Sequence, residues 1–85
     1  MSRSYEDGYA QALCDLGNSF AELADQAQNE IKATATLARK ARESGNVPAE
    51  LEATKALRDN MALKIGWLKA LQVTLAADAG HRAIR

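Results

Sequence analysis

Histidine is the side chain most often recruited for proton transfer and metal binding near neutral pH, and this chain has one, His81. One histidine excludes a His-based dyad, a His-rich metal cluster and the Glu-x-x-His pairs that hold two metals in helical bundles. Asp78 stands three residues before His81, but Gly80 lies between them at the fraying end of a helix. A solvated His near a helix C-terminus, where positive charge is favourable, is the simpler reading. Cys14 is the only cysteine, so an intramolecular disulfide and a cysteine-based metal site are both ruled out. No basic neighbour in sequence would lower its thiol pKa. Gly8, Gly17, Gly45, Gly66 and Gly80 are scattered singly and make no phosphate-cradling loop. The paired carboxylates Glu6-Asp7 and Glu50/Glu52 fall in first helical turns, where they complement the helix dipole. The expectation is therefore no catalytic residue, no metal, no cofactor and no enzyme activity.

Three groups of residues fit binding better than catalysis. Tyr5 and Tyr9, beside Arg3 and Ser4, form an aromatic-polar patch, and Tyr joins contact area to a hydrogen-bonding tip. The same two tyrosines also extend an apolar stripe, which is the plainer role. Arg39, Lys40 and Arg42 cluster in the last turn before the turn residues. There they complement the helix C-terminus, and they could also receive a phosphate or a partner's carboxylates. Trp67 is the natural anchor for whatever covers the face on which it stands.

Composition narrows the partners. The chain has 85 residues, a size near the lower limit at which one core stabilises a chain alone. Hydrophobic residues make up 47%, yet aromatics only 5%, so much of the apolar content is alanine and buries little area per residue. Eleven basic residues balance eleven acidic ones. Nucleic-acid binding needs a basic excess or stripe and is not expected. Met1 to Gly8 is polar and carries Glu6 and Asp7, unlike a signal peptide. The most apolar stretch, Met61 to Ala77, contains Lys64, Lys69 and Gln72, so no membrane span or membrane partner is expected. The lone thiol and these absences point to the cytoplasm.

These residues must be positioned by helices, because no segment alternates in the manner of a strand. The phrase Glu43-Ser44-Gly45-Asn46-Val47-Pro48 is a helix stop followed by a helix start. Gly suits the left-handed position past a helix end, and Pro suits the first turn of the next helix. The spacing predicts helix one over 4–44, a turn at 45–47, helix two over 48–79 and a short basic tail over 80–85 after Gly80. Gly17-Asn18-Ser19 leaves two readings of helix one. A separate short N-terminal helix would end near 17–18, with Ser19 and Glu22 at capping-box spacing. A continuous or kinked helix fits the unbroken heptad phase better.

The apolar periodicity predicts how the helices meet. Tyr9, Leu13, Leu16, Phe20, Leu23, Ala27, Glu30, Thr34, Leu37 and Ala41 follow at steps of four and three, as do Leu57, Met61, Lys64, Leu68, Leu71 and Leu75. Such seams pack helix on helix. Folding the chain at its turn sets Leu37 opposite Leu57, Ala27 opposite Leu68, Leu23 opposite Leu71 and Phe20 opposite Leu75 in one antiparallel register. It also sets Glu30 against Lys64, either as a register-fixing ion pair or as two chains that snorkel past each other to water.

A second seam runs beside the first: Gly17, Ala21, Ala24, Gln28 and Ile31 on helix one, and Ala56, Asn60, Leu63, Trp67, Ala70 and Thr74 on helix two. A two-helix hairpin buries one face only, so the second is expected to be covered by a further copy. The expected fold is thus all-α, an antiparallel two-helix hairpin assembling into a homo-oligomeric helical bundle, with a dimeric four-helix bundle favoured. In size, in its lack of catalytic residues and in its Ala-rich hairpin, the chain resembles small phage-encoded accessory proteins. The resemblance implies either an adaptor or inhibitor that binds a host or partner protein, or an oligomer that sequesters a small anionic ligand such as a nucleotide signal at subunit junctions. The first reading needs only the helices; the second needs Tyr5, Tyr9, Arg39 and Arg42 to converge between subunits.

Overall fold

The computed structural model describes the backbone of residues 2–84 and the side chains of residues 7–83. The described residues form two helices, α1 (Ser2–Glu43) and α2 (Val47–Ile84), and contain no strand. They pack as an antiparallel hairpin: Arg42 reaches Glu50 beside the turn, and Tyr9 lies against His81 at the open end.

The turn is built by the residues that the sequence singled out. Gly45 has φ +72°, a left-handed conformation open to glycine at no steric cost. Its N–H donates to the Arg42 carbonyl at 3.1 Å, and the Asn46 N–H donates to the Ala41 carbonyl at 2.9 Å. These two bonds are the Schellman pattern, which satisfies carbonyls that a helix end would otherwise leave open. Asn46 then caps α2: its Oδ1 accepts the Ala49 N–H at 3.2 Å. One residue thus ends the first helix and starts the second, which keeps the connection to Ser44, Gly45 and Asn46.

The helices run further than the punctuation predicts. α1 passes through Gly17-Asn18-Ser19 unbroken, so there is no separate N-terminal helix. Gly17 is buried, and a Cβ placed on it would lie 3.7 Å from Leu71 Cδ1 and 3.8 Å from Thr74 Cγ2. Packing against α2 holds this weak stretch helical. α2 likewise continues through Gly80 to Ile84, in place of the expected tail over 80–85. A single glycine inside a helix costs only about 1 kcal/mol against alanine. The Arg82–Asp78 ion pair (3.0 Å) and the inclined contact of the His81 and Tyr9 rings (centroids 4.7 Å) adjoin it.

The principal difference lies in which face turns inward. Among the described residues the buried side chains are Ala24, Ala27, Ala41, Thr34 and Thr74, and no large side chain is fully buried. On α1 the inward set is Leu13, Gly17, Phe20, Ala24, Ala27, Ile31, Thr34, Ala38 and Ala41. This is a strict four-three run that borrows alternately from the two seams. Leu16 and Leu37, expected inside, are exposed. On α2 the seam expected to meet another copy, from Ala56 through Asn60, Trp67, Ala70 and Thr74 to Ala77, is the better covered one, while Met61, Leu68 and Leu75 are exposed. The register shifts accordingly. Leu71 packs at Gly17 instead of Leu23, and Phe20 stacks on Trp67 instead of meeting Leu75. Small residues on the axis let two backbones approach closely, and Leu side chains are displaced to the flanks. The buried threonines leave no hydroxyl unpaired. Thr34 Oγ1 donates to the Glu30 carbonyl at 2.7 Å and Thr74 Oγ1 to the Ala70 carbonyl at 2.9 Å.

The resulting rod measures 65 × 15 × 12 Å with a radius of gyration of 19.0 Å. A compact chain of this length would have a radius near ~12 Å. Its accessible surface is 6410 Å² for 9.2 kDa, against about 4,900 Å² for a folded monomer of that mass. The excess of roughly 1,500 Å² is the cost of being only two helices thick.

Candidate functional site

Of the residues expected to bind whose side chains are described, the hairpin gathers no two into a common pocket. The Tyr5 side chain lies outside the described residues. Tyr9 is part-exposed near the open end, its ring edge-on to His81 with planes 61° apart. Arg39 and Arg42 are exposed in the last turns of α1, at the far end of the rod. Thirty-odd residues of helix separate them from Tyr9, a distance of about 45 Å at 1.5 Å per residue. Arg42 Nε lies 3.5 Å from Glu50 Oε2, with its side chain four-fifths exposed, so the contact is a screened surface pair worth little.

The expected Glu30–Lys64 pair does not form. Lys64 Nζ donates to Gln28 Oε1 at 2.6 Å, and Glu30 is exposed. The reason is the rotated seam: Glu30 sits on the Leu16–Leu23–Leu37 flank, whereas Lys64 leaves the axis on the opposite flank, where Gln28 stands. Among the described residues the ion pairs are Arg42–Glu50 and Arg82–Asp78.

Trp67 has a double position. One face of its ring stacks on Phe20, with centroids 6.0 Å apart and planes 23° from parallel. Its outer edge joins Asp59, Ala62, Leu63, Gly66 and Ala70 around an open groove of about 640 Å³, almost wholly apolar. Sequence spacing alone identified Trp67, Leu63 and Ala70 as one surface. It did not identify Gly66, whose missing side chain deepens the groove: a Cβ there would meet nothing within 4 Å.

Further recesses lie along the rod. Beside the turn, Thr34, Leu37, Lys40, Ser44, Asn46 and Glu52 border a recess of about 480 Å³. Near the open end Cys14, Asn18, Thr74, Leu75, Asp78 and Arg82 border one of about 220 Å³. Cys14 is exposed there and accepts a long contact from Asn18 Nδ2 at 3.9 Å. Among the described residues no three His, Cys, Asp or Glu side chains come together to hold a metal ion. None of the described helices is long and apolar enough to cross a membrane.

The apolar surface is unevenly shared. Leu51, Leu63, Ile65, Leu68, Val73 and Leu75 are all more than two-fifths exposed on α2. They spread over the sides and outer face of the helix, and between Asp59 and Asp78 the only charges are Lys64 and Lys69. On α1 the exposed large side chains, Tyr9, Leu16 and Leu37, lie at multiples of seven residues on one flank. Comparison of the chain with protein-family models, with curated proteins and with solved structures finds no match.

Proposed function

We propose that this chain is a non-enzymatic helical interaction module that works as a homo-oligomer and presents a helix face to a protein partner. One observation carries the reading: between Asp59 and Asp78, where its only charges are Lys64 and Lys69, α2 has large apolar side chains on its sides and outer face as well as toward α1, yet the hairpin covers only one side of it. A helix hydrophobic all round belongs in the interior of an assembly, and exposed apolar patches of this extent mark interaction surfaces. The surplus surface of roughly 1,500 Å² per chain is of the size that stable interfaces remove from water. Light scattering and sedimentation equilibrium test the assembly directly. A stable oligomer at micromolar concentration is expected, and a well-folded monomer would sink the reading. A pull-down with the intact oligomer should then return a stoichiometric protein partner.

The second reading, capture of a small anionic ligand at subunit junctions, draws on the turn end. Among the described residues Arg39 and Lys40 have no carboxylate partner, and Lys40 borders the recess between Leu37, Ser44 and Glu52. An antiparallel neighbour would bring its Tyr9 end to this basic end. A panel of nucleotides in a thermal-shift assay separates the readings. A midpoint that climbs with the logarithm of ligand concentration, and loses the climb in Arg39→Ala, supports the ligand reading. A flat response across the panel supports the interaction module.

A further inference from the structure

Gly66 stands in the middle of a 38-residue helix, where glycine lowers helix stability. Nothing within the hairpin requires it, since a Cβ at that position would meet open space. A glycine with no neighbour of its own, at the floor of an apolar groove, fits the close approach of something outside the chain. The chain's own α2 has the shape and charge to be that occupant. Asp59, Leu63, Gly66 and Ala70 line the groove, and Ala56 and Val73 extend the same run of alternating three- and four-residue steps to either side. From Ala56 to Val73 the spacing reads alike from either end about a point between Leu63 and Gly66. Two copies laid antiparallel across that point would set each Leu63, now half-exposed, into the space over the other's Gly66. The same register brings each Asp59 to the other's Ala70, next to Lys69. Asp59 and Lys69 are both exposed, and among the described residues neither makes a hydrogen bond or ion pair within its own chain.

We propose that a second copy of this chain docks α2 against α2 in antiparallel fashion about a two-fold axis between Leu63 and Gly66, with Leu63 filling the glycine gap and two Asp59–Lys69 ion pairs fixing the register. This rests on the oligomeric reading above and specifies its interface. The size is adequate: each copy carries roughly 1,500 Å² more surface than a compact chain of its mass, and a standard interface removes about 800 Å² per partner. Charge and shape agree with self-pairing, because each feature on one side of the axis meets its complement on the other.

The test uses the full chain in five forms: wild type, Gly66→Leu, Asp59→Lys, Lys69→Asp and the double reversal Asp59→Lys/Lys69→Asp. Sedimentation equilibrium reads the association constant of each, and circular dichroism confirms that each stays helical. Gly66→Leu should hold or raise helicity while weakening association by at least about a hundredfold, since it fills the gap from both sides at once. Each single reversal places like charges together twice and should weaken association about tenfold; the double reversal should return to within about threefold of wild type. Wild type that associates while all four variants match it would overturn this interface and leave the oligomeric reading standing. Wild type that remains monomeric at about 100 μM, above the range of specific assemblies, would overturn both.

Discussion

α1 and α2 are similar in length and both lie along the same rod, but they are finished to different degrees. α1 has an inward stripe, one apolar flank and a charged outer surface that includes Asp15, Glu22, Asp25 and Lys32. Docked on α2, it resembles an ordinary surface helix. α2 gives its small residues and Trp67 to the hairpin and still exposes Leu63, Ile65 and Val73, at 52%, 55% and 69%. Between Asp59 and Asp78 its outer face carries a single charge, Lys69. The difference teaches that packing within the hairpin accounts for the faces of α1 but leaves much of the apolar surface of α2 uncovered, and that surface is the one the proposed oligomer would cover.

The strongest challenge to that asymmetry is to charge both outer faces in turn. Leu63→Glu/Val73→Glu on α2 should dissociate the oligomer, weakening association by more than about a hundredfold while the hairpin stays helical. Glu22→Lys/Asp25→Lys on α1 should leave the mass unchanged. Light scattering of the two proteins side by side decides it, and equal dissociation by both pairs would erase the distinction between the helices. Trp67→Glu is a poorer probe, because the ring also stacks on Phe20 inside the hairpin.

A smaller effect sharpens the contrast between axis and flank. Ala24→Leu or Ala27→Leu should cost about 1–3 kcal/mol in chemical denaturation, because the added methylenes force apart two closely packed helices. Leu16→Ala or Leu37→Ala, removing far larger but exposed side chains, should cost less than about 1 kcal/mol in the dissociated Leu63→Glu/Val73→Glu background. The reverse order would mean that the leucine flank is the true seam.

Two glycines separate packing from backbone geometry at a similar scale. Gly17→Ala puts a methyl into ordinary van der Waals distance of Leu71 and Thr74, so it should raise the thermal midpoint, gaining about 0.4–1 kcal/mol. Gly45→Ala should lower it by about 1–2 kcal/mol, because φ at +72° is strained for any side chain. The smallest expected effect reports the register. A double-mutant cycle between Gln28 and Lys64 should give a coupling of about 0.5–1 kcal/mol for their part-buried hydrogen bond. The same cycle between Glu30 and Lys64 should give none. Coupling at Glu30 instead would restore the register first expected from the leucine spacing.

Much of the fold was legible from local chemistry. The hairpin is fixed within a few residues, since Gly45 is, among the described residues, the one position with a left-handed backbone, and Asn46 closes one helix and caps the next. Helix content follows from alanine and from the lack of any alternating segment. The two helix extensions, through Gly17 and through Gly80, were not legible, because a glycine ends a helix only when no packing or side-chain pair continues past it.

The inward face was the part that only the tertiary structure decided. Both seams run at the same four-three spacing and lie side by side on each helix, so periodicity cannot choose between them, and counting large side chains favours the wrong one. The choice depends on how closely two backbones can approach. That is a property of Ala24, Ala27, Gly17 and Thr74 facing one another across the axis, not of either helix alone. The same holds for the candidate binding residues. Tyr9 and Arg42 are held at opposite ends of a 65 Å rod, and they could meet only between chains, in the proposed assembly. The sequence by itself determined two helices and a turn; the rotation of each helix about its axis, and with it the surface left over for partners, is fixed only when the backbones are brought into contact.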